Sequence, residues 1–262
     1  MRTNALKATM KAGRTAVVGW ASLGSGYAAE VLGHGGVDAV CVDLQHGPIH
    51  LDRAVEMLTA LSATPAMPIA RPSGNDFAEI NKLLDAGAYG VIVPMIDTAE
   101  DARRVVDAVR YPPRGRRSFG PARGLLYGGS DYAAHADDEL LAFAMIETPQ
   151  AMANLDEIAA VPGLDGLFIG PADLSLALGV SPSPKWREEP LRGAIARILA
   201  ATQAHGLLAG IFCTGPEMAI DMQAAGFRML VPGNDAALLR GAAQAACDRI
   251  RGAAPSAPGA AY

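Results

Sequence analysis

Ala142-Phe-Ala-Met-Ile-Glu-Thr-Pro149 and Gly166-Leu-Phe-Ile-Gly-Pro-Ala-Asp-Leu174 are two short apolar runs that each end in one carboxylate, Glu147 in the first and Asp173 in the second. Each acid is followed by residues able to start a helix. Apolar runs closed in this way are the pattern of buried parallel strands that deliver acids to their C-terminal ends. Two hard oxygen ligands side by side, with Gly170, Pro171 and Ala172 leaving the backbone open beside them, suit a divalent cation that keeps positions for a substrate. Taken singly, Glu147 and Asp173 read equally well as caps of the helices that follow. Their occurrence at matched strand ends favours a site.

The pattern extends in both directions from this pair. Strands are expected at 16–20, 38–44, 67–71 and 90–95, and again at 207–212 and 227–231. Between them lie helical stretches at 28–32, 50–61, 75–86, 98–109, 191–205, 215–225 and 236–251. Strand, polar turn and helix recur at roughly 20 to 25 residues, as a parallel sheet with covering helices requires. Eight such units predict an α/β fold of the (β/α)₈ TIM-barrel type, with residues 1–252 as one barrel domain. Two stretches break the regularity. Residues 111–136 hold Pro112, Pro113, four arginines and five glycines, and read as a long functional loop; residues 181–189 read as a second irregular stretch. The tail, 253–262, is rich in Ala, Pro and Gly and is expected to be disordered.

Composition narrows the function classes. With 262 residues and 50% hydrophobic side chains, the chain can bury a large core. Its 22 basic and 27 acidic residues leave no basic stripe for nucleic acid. No apolar segment approaches the roughly 20 residues that span a bilayer, and the N-terminus has no apolar leader, so a cytoplasmic location is expected. Cys41, Cys213 and Cys247 are widely spaced and odd in number, which points to neither a disulfide framework nor a Cys-rich zinc site.

In a barrel of this kind the chemistry sits at the C-terminal ends of the strands. There the sequence places His46 after the second strand, Arg71 after the third, Glu147 after the fifth and Asp173 after the sixth. A cation on two carboxylates, a guanidinium that grips an anion in bidentate fashion and an imidazole able to move a proton together describe enolate chemistry on a small 2-oxo acid. Asp43 and Gln45 strengthen the case for His46, because an acid near an imidazole can fix its tautomer. Asp85 stands near the end of a helix, where the dipole disfavours a negative charge; it needs a partner, and His46 is the candidate. No lysine stands at a strand end, which argues against a Schiff-base mechanism. His34, His50, His135 and His205 read as ordinary surface or loop residues.

Seven segments, in order along nearly the whole chain, carry a family resemblance: Val42-Asp-Leu-Gln-His-Gly-Pro48, Ala70-Arg-Pro72, Lys82-Leu-Leu-Asp-Ala-Gly87, Val93-Pro-Met95, Tyr111-Pro-Pro-Arg-Gly-Arg-Arg117, Met145-Ile-Glu-Thr148 and Phe168-Ile-Gly-Pro-Ala-Asp-Leu-Ser175. Together they resemble the HpcH/HpaI aldolase family of class II pyruvate aldolases, the group of 4-hydroxy-2-oxoheptanedioate aldolase and the 2-dehydro-3-deoxy-glucarate and rhamnonate aldolases. The resemblance implies a carbon–carbon lyase that cleaves 4-hydroxy-2-oxo acids into pyruvate, or a related 2-oxo acid, and an aldehyde. It implies a divalent cation, Mg²⁺ or Mn²⁺ with Co²⁺ or Zn²⁺ as other candidates, held by Glu147 and Asp173. It assigns His46 as the base paired with Asp85, Arg71 to pyruvate and its oxyanion, and the backbone of Gly170, Pro171 and Ala172 to the substrate carboxylate. Met145 departs from the pattern, standing where relatives often carry Gln. The resemblance further implies a homohexamer, a trimer of dimers, with the last helix exchanged between barrels; the Ala-rich face of that helix permits close packing. Two other functions remain to be weighed: a citrate-lyase-like or malyl-CoA-type lyase of the same superfamily, and a catalytically silent barrel that binds a partner.

Overall fold

Short strands that are apolar on both faces can be buried only in a sheet covered on both sides, and the chain folds accordingly. The computed structural model describes residues 1–182 and 185–252. Helix α1 (Ala5–Lys11) and strand β1 (Ala16–Ala21) open the chain. Next come α2 (Gly26–Gly33), β2 (Ala39–Asp43), α3 (Leu51–Leu61), β3 (Met67–Arg71), α4 (Phe77–Asp85), β4 (Gly90–Val93) and α5 (Ala99–Val109). Helices α6 (Ala122–Gly128) and α7 (Tyr132–Glu139) lead into β5 (Leu141–Ile146), followed by α8 (Pro149–Ala153), α9 (Leu155–Ala159), β6 (Gly166–Ile169) and α10 (Pro171–Ala177). The last quarter runs α11 (Leu191–Ala204), β7 (Leu208–Phe212), α12 (Pro216–Ala225), β8 (Met229–Val231) and α13 (Asp235–Arg251).

The eight strands pair in parallel in sequence order, and β8 pairs back on β1 through Ala16↔Met229 and Val17↔Leu230, closing the barrel. Every residue of β2 to β6 and of β8 is buried. Aromatic rings fill the interior beneath the C-terminal mouth. Trp20 of β1 stacks on Phe168 of β6 at 5.8 Å and meets Phe212 of β7 edge-on at 5.6 Å. Local chemistry sets the helix starts. Asp76 accepts the Glu79 N–H ahead of α4, and Thr98 with Asp101 forms a reciprocal capping box on α5. Gly226, at φ 118°, ends α12 in the left-handed conformation that a side chain would strain.

The sequence reading misses two features. Helix α1 carries no long periodic signal, yet Asn4 caps it and ties it to the barrel's lower rim through Tyr89 O at 3.0 Å and Glu139 O at 2.8 Å. Residues 111–136 are not one irregular loop, because they contain α6 and the start of α7. Gly128 has a poor helix propensity, but it sits where a Cβ would come within 2.7 Å of the Tyr132 ring, so the close approach of helix and ring there requires glycine. The described part of 181–190 has no helix or strand; Trp186 Nε1 pins it to Asp221 Oδ2 of α12 at 2.9 Å. The tail assigned to disorder, 253–262, lies outside the described residues.

Among the described residues no helix is long and apolar enough to cross a membrane. Helix α13 leaves the barrel with most of its surface open, including Leu238, Leu239 and Ile250. It is anchored at its first residue: Asp235 accepts the Ser22 N–H at 2.9 Å and the Leu23 N–H at 3.1 Å, just beyond the end of β1.

Candidate active site

Strand register decides which side chains meet at the mouth. Asp43 and Arg71 are the last residues of β2 and β3 and are direct register partners. Ile146 pairs with Ile169, so Glu147 and Gly170 leave the sheet side by side. The predicted polar residues at the ends of the second, third, fifth and sixth strands thus converge on one rim, as the barrel geometry demands.

Arg71 is buried, and its guanidinium makes a two-pronged contact with Asp43, Nε to Oδ1 at 2.8 Å and Nη2 to Oδ2 at 2.6 Å. Asp43 also accepts from Trp20 Nε1 at 3.1 Å, from the Gln45 N–H at 3.1 Å and from the His46 N–H at 3.3 Å. Burial alone would push the Asp43 carboxyl up. The Arg71 bonds and charge, with the bonds from Trp20 and His46, outweigh it and hold the carboxyl below its usual range. The Arg71 guanidinium also lies over the Trp20 ring, 4.8 Å from its centroid. The plane of the arginine is thereby fixed from one edge and one face, on a floor of stacked aromatic rings.

Glu147 is buried, and its Oε1 accepts the Met95 N–H at 2.9 Å. Its other oxygen, Oε2, is buried with no hydrogen-bond partner. Across from Oε2 stands Gly170, where an added Cβ would come within 2.5 Å of that oxygen. Burial pushes the Glu147 carboxyl up to about 7; the Met95 bond and Arg71 oppose the rise, and the charges of Asp173 and Asp97 add to it. A buried carboxylate oxygen without a partner costs on the order of 1–3 kcal/mol or more unless something occupies its lone pair. A divalent cation fits this donor set: a hard oxygen, a second carboxylate close enough to be felt, and a gap kept open by glycine. Among the described residues no group of three or more His, Cys, Asp and Glu assembles there, so the protein's share of such a cation would be the two carboxylates. Nor do they serve as simple helix caps. Thr148 takes that role for α8, accepting the Ala151 N–H at 2.9 Å, and Asp173 lies in the first turn of α10, after the cap residue Gly170.

His46 is exposed on the turn after β2, with its peptide N–H on Asp43. Asp85 does need a partner, but within the chain that partner is Arg117, whose Nη2 lies 2.7 Å from Oδ1, and the acid joined to the His46 turn is Asp43. Arg117 is itself buried between the rings of Tyr111 and Tyr132. The sequence reading overlooks Trp20, Met95 and Asp97, and takes Asp43 only as a neighbour of His46. Asp43 had a usable signal, an acid and an arginine closing consecutive strands. Met95 stands in the segment Val93-Pro-Met95 with nothing there to mark its amide, and Trp20 and Asp97 had no signal that a single sequence displays.

Residues 17–242 match the family model described as HpcH/HpaI aldolase/citrate lyase. The hydroxypyruvate/pyruvate aldolase of Rhizorhabdus wittichii is 42% identical over 92% of this chain and 96% of its own length. The 4-hydroxy-2-oxo-heptane-1,7-dioate aldolase of Escherichia coli is 36% identical over 94% of this chain and 95% of its own. A crystal structure of an HpcH/HpaI aldolase/citrate lyase family protein from Burkholderia cenocepacia superposes with a TM-score of 0.87 at 32% identity, over 95% of this chain and 100% of that one. With a barrel closed by eight parallel strands and two acids at the ends of its fifth and sixth, the chain belongs to the HpcH/HpaI aldolase/citrate lyase family.

Proposed function

We propose that the protein is a metal-dependent class II aldolase that reversibly cleaves 4-hydroxy-2-oxo acids into pyruvate, or a related 2-oxo acid, and an aldehyde. The observation that carries this reading is the buried, partnerless Oε2 of Glu147 facing the gap at Gly170. A silent scaffold has no use for so costly a group. Glu147 and Asp173 would hold the cation, Mg²⁺ or Mn²⁺ by the hardness of the donors, and when bound it supplies Lewis acidity that polarises the 2-oxo group. In the cleavage direction His46 takes the proton from the C4 hydroxyl. The C3–C4 bond then breaks, the aldehyde leaves, and the electron pair passes into the pyruvate enolate, which is protonated at C3. Arg71, already fixed by Asp43 and Trp20, faces the charge of the 2-oxo acid and of the enolate without having to reorganise. The backbone from Gly170 to Ala172 receives the substrate carboxylate.

The test is cleavage of 4-hydroxy-2-oxo acids, followed by coupled reduction of the released pyruvate, on protein stripped with chelator and then resupplied with Mg²⁺ or Mn²⁺. Loss and recovery of turnover supports the proposal, and undiminished turnover after stripping defeats it. The family model also covers citrate lyases, which favours a second reading in which coenzyme A thioesters are the substrates. Parallel assays of thioesters and free acids separate the two. The assembly is proposed to be a hexamer of three dimers in which α13, with Leu238 and Leu239 exposed, packs on a neighbouring barrel. A monomer by light scattering at micromolar concentration would rule it out. A cytoplasmic location is in keeping with the unpaired, buried Cys41 and Cys213, and fractionation of the native host tests it.

A further inference from the structure

Met95 is the single non-glycine residue with positive φ among the described residues, at 57°. For a methionine this backbone is costly, and such residues persist where their surroundings over-determine them. Here three consecutive residues after β4 are tied to the end of β5. The Met95 N–H donates to Glu147 Oε1 at 2.9 Å. The Ile96 N–H reaches Met145 O at 3.4 Å. The Asp97 carboxylate accepts the hydroxyl of Thr148, the residue after Glu147, and Asp97 O accepts Asn154 Nδ2 at 2.8 Å. Glu147 is therefore held at its carboxylate by Met95 and at its chain neighbour by Asp97. One of its oxygens accepts that N–H, and the other is left facing Gly170 with no hydrogen-bond partner.

We propose that residues 95–97 are a positioning device for the cation ligand Glu147: Asp97, locked on Thr148, holds the Met95 amide where it pins Oε1 and presents Oε2 to the metal. The inference rests on the reading of Glu147 as that ligand. A glutamate side chain has three rotatable bonds and would otherwise be ordered only when the cation arrives, so a preset rotamer raises affinity without adding a ligand. Asp97 and Thr148 are positioning residues here, because they act through Glu147 and touch neither metal nor substrate.

The experiment is calorimetric titration of chelator-stripped protein with Mn²⁺, with thermal melts confirming that each variant is folded. Asp97→Ala and Thr148→Val remove the lock and should weaken Mn²⁺ binding by roughly 10- to 100-fold, the usual effect of losing an outer-shell partner. Asp97→Asn can still accept the Thr148 hydroxyl, and Thr148→Ser keeps both that hydroxyl and the cap on α8. Both should stay within about threefold of wild type on the same footing. Met95→Gly relieves the strained backbone and keeps the N–H, so it too should bind like wild type. Wild-type affinity in Asp97→Ala and Thr148→Val overturns the inference. So does Asp97→Asn failing as badly as Asp97→Ala, since charge and not the lock would then be responsible. Glu147→Gln is the control for the underlying reading: if it binds Mn²⁺ as wild type does, Glu147 is not a ligand, whatever the positioning variants do.

Discussion

Replacing Asp43 by Asn removes the charge on which the Arg71 side of the site is built. Five hydrogen bonds converge on that carboxylate, two of them from a guanidinium whose side chain is 3% exposed. The substitution takes the Asp43 charge away from the buried Arg71 cation and turns an amide N–H₂ toward one of its donors. Breaking one partner of a buried ion pair costs on the order of 3–5 kcal/mol. In a chain of this size each kcal/mol moves the melting temperature by roughly 2–4 °C, so Asp43→Asn should melt roughly 6–20 °C lower at neutral pH. The double variant Asp43→Asn, Arg71→Met should recover part of the loss, because the buried cation is removed together with the Asp43 charge. The pH dependence follows from the direction of the Asp43 shift. Its folded carboxyl titrates below the ordinary 3.8, so its stabilisation is complete above that value and disappears as the pH falls through the folded titration. The gap between wild type and Asp43→Asn should accordingly be constant from pH 5 to 8 and narrow from about pH 4 downward. Scanning calorimetry across that range is the assay. A single variant that melts within about 2 °C of wild type at neutral pH would show that the Asp43–Arg71 pair does not carry this stability, as it would imply a loss under about 1 kcal/mol.

Three further outcomes are expected. Gly170→Ala has an unstrained backbone, with φ −97°, but its methyl would lie 2.5 Å from Glu147 Oε2 and force the pinned carboxylate to shift; Mn²⁺ titration should show affinity at least about tenfold weaker. His46→Ala should keep Mn²⁺ and pyruvate affinity by calorimetry yet lose aldol cleavage by roughly 10²- to 10⁴-fold in steady-state assays. Thr98→Ala breaks the capping box on α5 and should cost about 1 kcal/mol in a urea melt.

The barrel was legible because its signals are local. The strands are apolar runs between polar turns, and caps such as Asp76 and Thr98 stand where the sequence pattern puts helix starts. The rim positions of Arg71, Glu147 and Asp173 followed from the same pattern, since the last residue of β3, the first after β5 and the first turn of the helix after β6 all lie at the C-terminal ends of strands. Pairwise contacts were not legible. Within the chain Asp85 lies against Arg117, 32 residues further along, a contact that the sequence does not announce. The Asp43–Arg71 pair depends on the register between β2 and β3, and the Met95 amide contact on a backbone conformation that no residue type announces. Helix α1 was invisible for a related reason: Asn4 is a weak signal until Tyr89 O and Glu139 O are brought to it by the fold.

If a cation on Glu147 and Asp173 acts with Arg71 to stabilise the enolate left when a base takes a methyl proton from pyruvate, the pyruvate methyl protons exchange with solvent deuterium, which proton NMR follows. Chelator-stripped protein should show no exchange, exchange should recover on adding Mg²⁺, and Glu147→Gln and Asp173→Asn should show no recovery at the same Mg²⁺ concentration. Exchange that persists after stripping, or that returns with Mg²⁺ in either variant at the wild-type rate, would contradict this role of the cation.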